Sequence, residues 1–104
     1  MQFLVCGYDG DDAEALARRM AARPDHLARA EEMSARGEML VGVALLSDDE
    51  EGRMIGSAIV VDLPDRTAVD AWLAVEPYVV GDVWRRIEVT PCRVGPAWTH
   101  LFER

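Results

Sequence analysis

A chain of 104 residues, half of them hydrophobic, has the size of one domain with a core of its own. Its formal charge of −8 argues against a nucleic-acid surface, which needs clustered cations. All eleven basic residues are arginine, a bias we read as composition rather than as phosphate recognition.

The opening MQFLVCGYDGDD lacks the basic leader and long apolar run of a signal peptide. No segment approaches the roughly 20 apolar residues of a membrane span. Cys6 and Cys92 lie near opposite ends, without metal-ligand spacing. The expectation is a soluble cytoplasmic protein with reduced thiols and no bound metal.

QFLVCGY (2–8) is a short apolar run closed by Gly and Asp, which reads as a central strand with Phe3 and Val5 on one face. In DGDDAEALARRMA, Asp11 with Glu14 three residues on forms a capping-box pattern. Pro24 is costly deep in a helix and comfortable in a first turn, so the spacing predicts two helical pieces, 12–21 and 24–36. Gly37 stops the second.

EMLVGVALL (38–46) is an apolar strand, and the acidic SDDEEG (47–52) is a loop. RMIGSAIVVDL (53–63) gives a third strand. Asp65 or Thr67 can cap a helix carrying the stripe Val69, Trp72 and Leu73, which Pro77 ends. In DVWRRIEVTPC (82–92), Val83, Ile87 and Val89 face one way; Trp84, Arg86, Glu88 and Thr90 face the other.

This order is βαββαβ, an α+β ferredoxin-like unit. Two helices cover one face of the sheet, while the strands at 38–46 and 55–61 are apolar on both sides. Pairing the open faces of two copies would bury the second side, so a homodimer is expected.

Two stretches carry candidate chemistry. His26 shares one helical arc with Leu27, Ala30, Met33 and Ser34, at the margin of the packed face. By itself it reads first as a helix-flank histidine bonded to a carbonyl. Glu76, just before Pro77, sits at an element end, where functional groups often sit; the plain alternative is a helix stop with Tyr78 packed on the core. His100, in WTHLFER, reads as a surface or tail-docking residue.

RPDHLAR (23–29), GSAIVVD (56–62), AW (71–72), EPYVVGDVW (76–84) and VTP (89–91) together resemble the YCII-related (YciI-like) proteins over about residues 1–95, with 96–104 as a C-terminal tail. The resemblance implies a ferredoxin-like dimeric α/β-barrel fold and an active site built on a histidine–aspartate pair. The histidine matches His26; the aspartate position holds Glu76. A glycine-proline after the second strand is replaced by LVGVALL, and the last Phe of the ending is Cys92.

A carboxylate that accepts one ring N–H fixes the imidazole tautomer and leaves the other nitrogen free as a proton acceptor. Activity in the family is lyase-like loss of halide from a chlorinated hydroxyquinol, without a cofactor. The expectation is therefore a small cofactor-independent enzyme of the lyase or isomerase type, acting on a small oxygenated molecule through His26 and Glu76. Ser57 and Arg86 are expected to bind an oxygen or anion in a cavity over the open sheet face. A non-catalytic ligand-binding or accessory domain is the alternative. A heme- or flavin-free monooxygenase of the related dimeric barrels is a third reading.

Overall fold

A computed structural model describes residues 1–102. Strand β1 (Gln2–Asp9) leads to helix α1 (Ala15–Ala35), then to strands β2 (Met39–Leu46) and β3 (Met54–Asp62). Helix α2 (Arg66–Val75), the short α3 (Pro77–Val80) and strand β4 (Trp84–Cys92) follow. A 3-10 turn over Pro96–Leu101 occupies the tail, whose last two residues lie outside the described range.

The sheet is antiparallel, in the order β2-β3-β1-β4. This is the ferredoxin-like α+β arrangement read from the element order. Period-2 alternation sends Phe3, Val5, Ile59 and Val61 to the helix side, where they join Met33, Val69, Trp72 and Tyr78 in the core. Burying side chains of this size supplies about 1.5–3 kcal/mol each before the entropy of ordering is set against it.

Local chemistry explains most boundaries. Gly37, at φ +75°, closes α1 with a Schellman pair: Glu38 N–H donates to Met33 O and Gly37 N–H to Ser34 O. Asp65 caps α2 by accepting from Ala68 N–H at 2.8 Å.

The structure corrects three of the sequence expectations. Helix α1 runs unbroken through Pro24. Pro24 and Met20 are both exposed, so the backbone bond that proline cannot make is missing on the solvent side, where water can replace it. The helix also starts later than expected, at Ala15 and not at residue 12; Asp12, not Asp11, accepts the backbone N–H of Glu14. Trp84, placed with Arg86 by simple alternation, lies in the core instead. The register shifts between Tyr8 and Asp9, pairing Tyr8 with Arg86 and Asp9 with Trp84. The extra residue, Arg85, turns the indole over.

The opposite sheet face has no helix over it. Its rows run Val41–Val60–Leu4–Thr90 and Val43–Ala58–Cys6–Glu88. Cys6 and Cys92 share this face on neighbouring strands, but Cys6 pairs with Glu88 and Cys92 with Gln2. Four residues of strand, about 13 Å, separate the thiols, well beyond disulfide reach, and both are free. Among the described residues no helix is long and apolar enough to cross a membrane.

Candidate active site

Pro77 opens α3, and its ring holds the preceding Glu76 extended, at φ −65° and ψ 126°. That junction turns the Glu76 side chain back between α1 and α2. Its carboxylate is buried and fully engaged. Oε2 accepts from Trp72 Nε1–H at 3.1 Å, and Oε1 from Tyr78 N–H at 3.3 Å.

The remaining partner of Oε1 is His26 Nδ1, at 2.5 Å. The carboxylate is then the acceptor of an Nδ1–H, which leaves Nε2 with the lone pair. The imidazole is stacked on Tyr78, with centroids 3.9 Å apart and planes at 15°, and meets Trp84 edge-on at 6.2 Å. Its orientation is thus fixed from two directions. Burial pushes the Tyr78 phenol up from its ordinary value, so it stays a neutral donor.

A second buried network lies alongside. Arg19 donates to both oxygens of Asp9, at 3.0 and 3.2 Å, and to Ser57 Oγ at 2.9 Å. Trp84 Nε1–H donates to the same hydroxyl at 3.3 Å. The Arg19 guanidinium lies over the Tyr78 ring at 4.6 Å, which links the two networks. Burial raises Asp9 above its usual carboxylate range, and the Arg19 charge opposes that rise.

Both networks border a cleft of about 690 Å³ between α1 and strands β2 and β3. His26, Tyr78, Ser57 and Arg23 supply polar wall, while Leu27, Ala30, Met39 and Ile59 supply apolar wall. A few convergent polar groups on an apolar lining is the usual make-up of a small-molecule site. No group of three or more His, Cys, Asp and Glu suited to a metal occurs among the described residues.

The cleft lies on the helix side of the sheet, not over the open face where the sequence reading put the cavity. His26, Glu76 and Ser57 come together there. Arg86 does not join them: it is exposed on the other face, over the Tyr8 ring at 4.0 Å and bonded to Glu88. His100 is exposed in the tail. Arg19 and Asp9 were not singled out by the sequence, and Tyr78, Trp72 and Trp84 were read only as parts of the fold. One signal was readable: Arg19, Arg23 and His26 stand at i, i+4 and i+7, a single helical face.

Comparison with known proteins agrees with the resemblance. The YCII-related domain matches residues 1–93. "Protein YciI" of Escherichia coli O6:H1 is 28% identical over 88 residues, covering 81% of this chain and 90% of that protein. An uncharacterized protein of Haemophilus influenzae is 32% identical over 85 residues, covering 78% and 87%. Among solved structures, the fold is similar to 5-chloro-2-hydroxyhydroquinone dehydrochlorinase from Burkholderia phenoliruptrix, in complex with 2,5-dihydroxybenzoquinone. The TM-score is 0.77 at 21% identity, over 93% of this chain and 98% of that one. An antibiotic biosynthesis monooxygenase is similar at TM-score 0.50 and 16% identity, over 91% and 98%. With nearly its whole length matched, the chain belongs to the YCII-related family.

Proposed function

We propose that this protein is a small cofactor-independent enzyme of the lyase or isomerase type, with His26 as general base and Glu76 as its orienting carboxylate. One observation carries the reading: a cleft-lining imidazole is bonded through Nδ1 to a buried carboxylate at 2.5 Å. Nε2 takes a proton from a carbon or hydroxyl of the bound molecule, Glu76 stabilises the imidazolium, and the same nitrogen can return the proton. Loss of hydrogen chloride by the structurally similar dehydrochlorinase is chemistry of this class and favours an oxygenated, aromatic-sized substrate. The protein acts as a cytoplasmic homodimer, with the apolar outer sheet face as the interface.

The test is turnover of a panel of chlorinated hydroquinones by the wild-type protein, His26→Asn and Glu76→Gln. Loss of about 10²–10⁴-fold in His26→Asn is expected for a general base. Binding without turnover in the wild type would support the ligand-binding domain instead.

A further inference from the structure

Acidic residues outnumber basic ones in this chain by 19 to 11, so an arginine has no shortage of carboxylates to pair with. Arg18 holds Asp12, Arg19 holds Asp9, Arg53 holds Asp49 and Glu51, and Arg85 holds Asp82. Arg23 holds none. It is half-buried, lines the cleft, and has no ion pair or hydrogen bond among the described residues. One helical turn before it, the buried Arg19 lines the same cleft and keeps a buried Nε–H without an acceptor among the described residues. One turn after it stands His26. The charges of Arg19 and Arg23 both act on the Tyr78 phenol, which places them at the same end of the cleft.

We infer that the cleft takes a small organic anion, with Arg23 holding the anionic oxygen beside His26 and the body of the molecule against Ala30, Met39 and Ile59. Glu31, the acidic residue on the lining, is two turns of α1 beyond Arg23, about 12 Å along the axis. The cleft is thus positive at the His26 end and negative at the far end, which orients a monoanion one way round. A half-buried guanidinium facing an apolar wall interacts with an anion more strongly than it would in bulk water. This rests on the cleft's being the substrate site, not on any one reaction.

Benzoate and its neutral isostere benzamide serve as probes, titrated into the full chain while the His26 ring signals are followed by NMR. The exposed His100 is the internal reference. Benzoate is expected to move the His26 signals and to bind at least tenfold tighter than benzamide. Arg23→Gln should bring the two to equal affinity, Arg23→Lys should keep a partial preference, and Arg66→Gln should change nothing. No response to benzoate, equal binding of both probes, or an unaffected Arg23→Gln would overturn the inference. Its failure is separable from that of the proposed enzyme. Charge-selective binding in a protein that turns nothing over leaves this inference standing, whereas His26-dependent turnover with equal probe binding leaves only the enzyme.

Discussion

Trp84 lies directly over Gly7, so close that a β-carbon on Gly7 would sit 2.3 Å from the indole. The bulge at Arg85 puts the ring there, and the missing side chain of Gly7 makes the space. The same indole donates to Ser57 and packs edge-on to His26 and Tyr78. An absent methyl on β1 therefore shapes the wall behind the candidate base.

Gly7→Ala is expected to destabilise the fold by about 1–3 kcal/mol, the usual cost of overpacking a core. It should also disturb Trp84 fluorescence. Gly42→Ala is the control, because its nearest neighbour would be an Ile59 side-chain carbon at 3.5 Å, an ordinary contact. Urea unfolding of the two variants checks the contrast, and equal midpoints would defeat the argument.

Glu76 separates structure from chemistry. Glu76→Ala leaves the buried Trp72 N–H and the His26 N–H without an acceptor, a loss of about 1–3 kcal/mol for each fully buried group. Glu76→Gln keeps the volume and an acceptor oxygen but removes the charge behind the imidazole. It should cost less stability than Glu76→Ala yet lose most of the activity. Parallel denaturation and turnover measurements test this, and a Glu76→Gln enzyme as active as wild type would count against the pair.

The element order and the His26–Glu76 pair were both legible in the sequence, through alternation, turn residues and family resemblance. Pro24 and Trp84 were not, for different reasons. The penalty for an interior proline depends on whether its orphaned carbonyl can reach water, and only the packed structure says which side of the helix meets the core. Strand alternation fails wherever a bulge inserts one residue, and no residue type near Arg85 announces one. The Arg19 network was hidden because Asp9, Arg19 and Ser57 belong to three separate elements.

Pro24 supplies its own prediction. Because α1 continues through it, Pro24→Ala restores a backbone bond in a helix interior, where proline is about 3 kcal/mol less favourable than alanine. The proline's restriction of the unfolded chain offsets part of that. A net gain of about 1–2 kcal/mol is expected, with His26 still bonded to Glu76 and turnover unchanged. Weaker thermal stability in Pro24→Ala would mean that the proline is needed where it stands.

Stability should fall in acid partly through Asp12. Hydrogen bonds from Arg18 hold its carboxyl well below the ordinary 3.8. A lowered folded-state value means that Asp12 stabilises the fold above its unfolded value, and that this is lost as pH falls below it. Asp9, raised by burial, acts with the opposite sign: its effect is most favourable below 3.8 and declines as pH rises through its folded value. Denaturation at pH 3 and pH 6 should therefore show a smaller acid loss in Asp12→Asn than in wild type. A larger loss in the variant would contradict the assignment.

The outer face of the sheet tests the homodimer. Val41 and Val43 are about half exposed, and Leu4 is exposed beside them. In register they form an apolar area over β2, β3 and β1, while β4 contributes Arg86, Glu88 and Thr90 at one margin. An apolar centre bounded by polar residues is the pattern of a buried interface, whereas isolated exposed hydrophobics would need no explanation. A two-fold pairing would place each Val43 near the apolar rows of the other copy. Light scattering at micromolar concentration should give twice the chain mass. Val43→Arg, which inserts an unpaired charge into that contact, should shift the protein to monomer while leaving its circular dichroism intact. Glu88→Arg, on the polar margin, should have a much weaker effect. A wild-type monomer would rule out the homodimer, and a dimer indifferent to Val43→Arg would place the interface elsewhere.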